Sequence, residues 1–215
     1  MIFVMTTIGT ISLNISLILY CIYFVPQIIY NQVIKKTDQI SLITQGLMVT
    51  ANLCDLIYGF YLDMPWQYKM VTILTLSFLL IQHIQIGIQS VKNKKFIILS
   101  FVLVILAFYV LNSIIEKNIN HHYIDLFGMV TNIIYWIHWI PQIFFNWQHK
   151  KAEGFSFIFL LLTLFASICD EISALALGWD YPSIIGPLVL ILMISMILTQ
   201  RLIYAKKPLK FKMIF

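Results

Sequence analysis

Seven apolar stretches, each close to the roughly 20 residues a helix needs to cross a bilayer, follow one another along this chain with only short connections. They are read at residues 7–30, 41–62, 68–90, 96–115, 123–147, 156–178 and 183–204. A soluble domain carries about a quarter charged residues. Here 11% of 215 residues are charged and 60% are hydrophobic, with a mean hydropathy of +0.89. The expected fold class is therefore an all-α membrane protein of seven transmembrane helices. A strand-built barrel is disfavoured, because the stretches are continuously apolar and do not alternate. The first stretch is read as a helix of the mature protein and not as a signal peptide, since no Lys or Arg precedes Thr7. Cys21, Cys54 and Cys169 all fall inside the stretches without a metal-ligand spacing, so neither a disulfide framework nor a metal site is expected.

Numbering the helices sorts the basic residues onto two sides. One side collects Lys35, Lys36, Lys92, Lys94, Lys95, Lys150, Lys151, Arg201, Lys206, Lys207, Lys210 and Lys212; the other holds only Lys69 and Lys117. Basic residues in short loops mark the cytoplasmic side, which puts the N-terminus outside and the C-terminus inside. The net charge of +5 calls for no nucleic acid. The basic tail, 205–215, is expected to meet anionic membrane lipid.

The chain also repeats itself. Pro26-Gln27-Ile28 returns as Pro141-Gln142-Ile143, 115 positions later. At the same offset Asn31 matches Asn146, Lys35-Lys36 matches Lys150-Lys151, Asp38 matches Glu153, Ser41 matches Ser156, and Cys54-Asp55 matches Cys169-Asp170. Asp63-x-Pro65 returns as Asp180-x-Pro182 after a two-residue shift. Each copy holds three helices, an odd number, so two copies joined directly would face opposite ways. The stretch at 96–115 lies between them and restores a parallel orientation. The expected plan is 3+1+3: a first repeat at 7–90, a linker helix at 96–115, and a second repeat at 123–204. Parallel repeats of this kind place solute sites near the midplane between the two halves.

Two Pro-Gln pairs, each followed by Asn, a basic pair and Ser, resemble the PQ-loop family of the cystinosin and SWEET clan. The resemblance spans nearly the whole chain and implies a transporter, with KDEL receptors as more distant relatives. Cystinosin-like members carry a polar or acidic residue where this chain has Met48 and Thr163, so their proton-coupling residue does not carry over. No large lumenal domain and no Tyr-based sorting signal is read, and the sole Asn-x-Ser, at Asn14, falls within a helix. A compact prokaryotic member in a bacterial inner membrane is expected, assumed monomeric and without a cofactor.

Within the helices, Pro26 and Pro141 break the backbone ladder, a defect tolerated in membranes when neighbouring groups re-satisfy it. They are read as paired hinges, with Gln27 and Gln142 supplying hydrogen bonds; a static kink is the alternative. Asp55 and Asp170 each lie fourteen residues beyond their helix's Ser, about 21 Å at 1.5 Å per residue. Acids at that depth are functional candidates by default. Burial disfavours the ionised carboxyl, so both are read as proton-coupling, against a structural acid bonded to a facing helix. Glu171 must point away from Asp170, and the repeat favours Asp170. Asn52, Asn132, Thr163, His138 and Gln82 are candidates to bind substrate, each weighed against plain interhelical bonding. Trp136 and Trp139 could line a cavity, and His121-His122 is too little for a metal site.

These features point to a secondary transporter of a small polar solute, such as an amino acid, working by alternating access with protons. A passive SWEET-like sugar facilitator and a KDEL-receptor-like sorting receptor are the alternatives. No catalytic motif appears, and helix seven has no lysine for a retinal Schiff base.

Overall fold

The computed structural model describes residues 2–35, 37–89, 94–117, 121–179 and 181–204. Lys36, Lys92, Asp180 and the tail 205–215 lie outside the described residues, as do the side chains of Lys94, Lys117, His121, His122 and Pro182. The described chain is helical almost throughout, in nine segments: α1 (Ile2–Ile22), α2 (Phe24–Ile34), α3 (Leu42–Tyr61), α4 (Trp66–Gln89), α5 (Lys94–Lys117), α6 (His121–Ile137), α7 (Ile140–His149), α8 (Phe157–Leu177) and α9 (Tyr181–Tyr204), with a short 3-10 turn at Thr37–Gln39. The first and fifth of the seven expected helices are each broken in two.

The prolines explain where the breaks fall. Pro26 is the third residue of α2 and Pro141 the second of α7. In a first helical turn the missing N–H has no intrahelical acceptor to serve. The chain therefore breaks just ahead of each proline, at Tyr23 and at His138-Trp139. The segments beyond run further than the hydropathy indicated, to Ile34 and His149. Each ends on a lysine in the left-handed region, Lys35 at φ 53° and Lys150 at φ 51°. Their N–H groups donate to Asn31 O and Asn146 O. Ser41 and Ser156 are N-caps, accepting from Thr44 N–H and Phe159 N–H, as serine commonly does at this position.

Helix packing repeats as the sequence does. The middle helix of each repeat packs on the first helix of the other, α1 with α8 and α6 with α3. Within repeats, α1 packs with α4 as α6 does with α9, and α3 with α4 as α8 does with α9. The linker α5 packs against α3 and α4 of the first repeat. Among the described residues, four spans are long and apolar enough to cross a membrane by length and composition: Val4–Ile34, Trp66–Gln89, Phe157–Leu177 and Ser183–Tyr204. The first of these treats broken α1–α2 as one span. By contrast α3 carries Thr44, Gln45, Asn52 and Asp55 among its buried residues, which lowers its hydropathy without making it a surface helix.

One basic residue on the side that charge sorting gave it is buried. Arg201, counted with the loop lysines, is 4% exposed and belongs to the packed end of α9.

Candidate functional site

The two Pro-Gln glutamines meet the opposite repeat, in matching ways. Gln27 Oε1 accepts the backbone N–H of Ser156 at 2.7 Å, and Gln142 Oε1 accepts that of Ser41, also at 2.7 Å. Gln27 Nε2 donates to Gly154 O at 3.2 Å, and Gln142 Nε2 to Gln39 O at 3.0 Å. Each side-chain amide thus binds a backbone acceptor and a backbone donor two residues apart, at the entrance of the other repeat's middle helix. Second donations run to Asn31 Oδ1 and Asn146 Oδ1, both 2.8 Å. From there Asn31 donates to Gln85 at 2.9 Å and Asn146 to Gln200 at 3.0 Å. Gln85 and Gln200 close the chain on Ile28 O and Ile143 O. Gln27 and Gln142 are fully buried, so these bonds satisfy groups that would otherwise cost about 1–3 kcal/mol each.

Above this seam lies an aromatic layer. Phe24, Trp139, Phe155 and Phe159 are all at or below 2% exposure. Phe155 stacks on Phe159 with centroids 5.7 Å apart, and Trp139 meets Phe155 edge-on at 5.3 Å. Together the amides and rings seal the end of the bundle that carries both Pro-Gln pairs.

A cavity of about 150 Å³ opens on the far side of that layer, a volume that holds a benzene-sized molecule in a protein core. Met48, Phe159 and Thr163 line its floor, Asp55 and Asp170 its middle, and Tyr68, Trp179 and Ser183 its outer part. The outer three are half-buried, and Tyr68 meets Trp179 edge-on at 5.9 Å. Helical rise places Met48 and Thr163 about 10 Å past their N-caps and the acids about 21 Å past them. The cavity thus runs from the inner third of the bundle toward the end opposite the Pro-Gln pairs.

Both aspartates are held by hydroxyls spaced four apart on one helix, a spacing that puts two side chains on one face. Asp55 accepts from Tyr68 and, at 3.2 Å, from Thr72, both on α4 of its own repeat. Asp170 accepts from Ser16 and, at 2.8 Å, from Tyr20, both on α1 of the other repeat. The repeat equivalents of Ser16 and Tyr20 are Thr131 and Tyr135 on α6, and both line the cavity. The equivalent of Thr72 is Pro187, which has no hydroxyl to offer Asp170. The two acids are thus alike in place and unlike in attachment: Asp170 is held by two hydroxyls from across the boundary, whereas Asp55 takes two from α4 of its own repeat and meets Tyr135 of the other repeat besides.

Asp55, Asp170, Asn52, Asn132, Thr163 and His138 all line this one cavity. Asn52, Asn132 and Thr163 each donate to the backbone carbonyl four residues back, at 2.8, 2.9 and 2.8 Å. His138 Nδ1 is 2.9 Å from Tyr135 O; a carbonyl only accepts, so that nitrogen carries the proton. Trp139 lines the cavity as well. Gln82 does not: it is fully buried in α4 away from the cavity lining. Glu171 is also absent from the lining, so Asp170 is the acid of that pair that faces the cavity. Pro26, Gln27, Pro141 and Gln142 lie beneath the floor. Sequence reading passed over Ser16, Tyr20, Tyr68, Thr72, Thr131 and Tyr135. The available signal was the repeat itself, since Ser16-x-x-x-Tyr20 returns as Thr131-x-x-x-Tyr135 at the offset of 115.

The family model described as PQ loop repeat matches the chain twice, at residues 8–68 and 123–183, which together exceed half its length. A solved structure of a eukaryotic SWEET transporter superimposes with a TM-score of 0.68, covering 95% of this chain and 100% of that one at 15% identity. That identity speaks to the fold, and the fold is the 3+1+3 bundle. No curated protein sequence matches the chain.

Proposed function

Since the chain belongs to the PQ-loop family of membrane transporters, we propose that it is a secondary transporter moving a small polar solute by alternating access, coupled to protons. The observation that carries this reading is the pair of repeat-equivalent aspartates facing one cavity. The lining holds two carboxylates and, among the described residues, no lysine or arginine. Such a site favours a solute with an ammonium group, an amino acid or a related amine, and opposes an anion. Tyrosine, tryptophan and phenylalanine walls add faces on which a cation is stabilised by about 0.5–2 kcal/mol.

The attachment of Asp170 supports its role as the coupling acid. Its ionised form holds Ser16 and Tyr20 of α1 by charge-assisted hydrogen bonds, and those bonds join the repeats. Protonation removes one acceptor and weakens the α1–α8 contact, which lets the Pro26 break flex. Asp55, held chiefly by Tyr68 and Thr72 of its own repeat, is read as the acid that serves the solute. The seal at the Pro-Gln end and the half-buried residues at the other support reading this as the state closed toward the basic side, which the charge pattern assigns to the cytoplasm.

The test is uptake into proteoliposomes of four solute classes: cationic, zwitterionic, neutral sugar and anionic. Saturable uptake of ammonium-bearing solutes that responds to an imposed pH gradient is the expected result. Sugar equilibration indifferent to the gradient would establish the passive facilitator instead. Binding without movement of any class would return the receptor reading.

A further inference from the structure

The seam at the Pro-Gln end closes on backbone. Gln39 and Gly154 are equivalent positions of the two repeats, 115 apart, and they touch; equivalent positions meet only beside the pseudo-two-fold axis. The place a Cβ would take on Gly154 lies 2.6 Å from Gln39 O. Side chains can yield there, but a carbonyl of the facing loop cannot without moving the loop. Glycine is thus what lets the loop 150–156 rest on the loop 37–41.

Every carbonyl from Ala152 to Phe155 in the upper loop is bound by a side chain from a helix. Arg201 of α9 donates to Ala152 O at 2.9 Å and to Phe155 O. The hydroxyl of Tyr30 on α2 donates to Glu153 O at 2.7 Å, and Gln27 takes Gly154 O. The guanidinium of Arg201 lies 5.8 Å from the centre of the Tyr30 ring, so the two holders also brace each other across the repeats. This clamp is one-sided. The positions equivalent to Arg201 and Tyr30 are Ile86 and Phe145, which have no donor for the loop 37–41; that loop is tied by Thr37 to Gln89 at 2.9 Å.

We propose that Arg201 and Tyr30 are positioning residues of the transport cycle, forming the latch that presses Gly154 onto Gln39, and that opening at the Pro-Gln end begins with release of the loop 150–156. The proposal rests on the alternating-access reading above. It assigns the buried arginine a task beyond topology and makes the two loops unequal partners, one clamped and one followed.

The full chain is tested in proteoliposomes with Cys21, Cys54 and Cys169 replaced by alanine and Met48→Cys as a reporter on the cavity floor. A membrane-impermeant maleimide is applied from the Pro-Gln face to the reporter alone and to Tyr30→Phe, Arg201→Lys and Gly154→Ala in that background. Tyr30→Phe loses one hydrogen bond, about 1 kcal/mol, so labelling should rise roughly five-fold. Arg201→Lys and Gly154→Ala should rise at least as much. Tyr30→Phe removes a single oxygen and keeps the ring, so it guards against loss of fold in the other two. Unchanged labelling in Tyr30→Phe and Arg201→Lys, with melting curves like the parent, overturns the latch. Solute uptake by vesicles of the wild-type chain, without the reporter cysteine or the alanine replacements, separates the two ideas. A labelling response without uptake of any solute keeps the latch and removes the transport reading, whereas uptake without a labelling response removes the latch alone.

Discussion

Gln27 Oε1 accepts the backbone N–H of Ser156 at 2.7 Å, and so the Pro-Gln motif of one repeat caps the middle helix of the other. Gln142 does the same for Ser41. The motif is therefore a crosslink as well as a break. Proline interrupts its own helix, and the glutamine next to it spends its hydrogen bonds across the boundary.

Removing that crosslink should be costly. Gln27→Ala or Gln142→Ala leaves a buried N–H and a buried carbonyl without partners, at about 1–3 kcal/mol per group. Each variant is expected to unfold earlier than wild type in detergent, by similar amounts because the two environments match. A difference of several kcal/mol between them would mean that the seam is not symmetric.

The prolines should matter to rate more than to stability. Each stands in a first helical turn, where its missing N–H costs little. Pro26→Ala or Pro141→Ala restores a donor able to bond back across the break and stiffen it. Transport is expected to fall about ten-fold or more, equivalent to at least about 1.4 kcal/mol on the barrier, with melting unchanged or raised. Equal loss of both would point to a purely structural kink.

Gln45 and Gln82 offer a contrasting test. Both are fully buried, and among the described residues neither amide finds a hydrogen-bond partner. Their repeat equivalents are Leu160 and Ile197, buried in the apolar core. Gln45→Leu and Gln82→Leu should therefore stabilise the fold by roughly 1–3 kcal/mol each and leave uptake intact. Loss of uptake in Gln82→Leu would restore this residue to the solute site from which the geometry removes it.

How much of this was legible in the sequence follows from the range of each interaction. Helix number and the 3+1+3 plan rest on hydropathy and on a repeat that can be read by eye, and both carry through. Asp55 and Asp170 announce themselves because a carboxyl is rare in a membrane span. Tyr20, Tyr68 and Ser16 do not, since tyrosine and serine occur in such helices for many reasons. Only the fold brings them to a particular carboxyl. Gln82 misled for the opposite reason: a polar residue in mid-span suggested a pathway, yet a helix has sides, and its side faces core. Arg201 lies on the side it was counted for, but its burial was not legible, because only the fold brings the loop 150–156 over it.

Hydroxyl partners should tune the acids unequally. Tyr20→Phe removes the 2.8 Å bond that ties Asp170 to α1, so it is expected to shift the pH profile of uptake. Thr72→Val removes the 3.2 Å bond within the first repeat and should chiefly raise the KM for solute. The reverse pattern would assign coupling to Asp55.

The most direct measurement is solute-driven proton movement, followed with a pH-sensitive dye trapped in proteoliposomes, for wild type and Asp170→Asn. A proton signal is expected on adding an ammonium-bearing solute to wild type. None is expected with Asp170→Asn, although that variant should still exchange labelled solute for unlabelled. Proton movement of wild-type size in Asp170→Asn would contradict coupling through the bond network between α1 and α8.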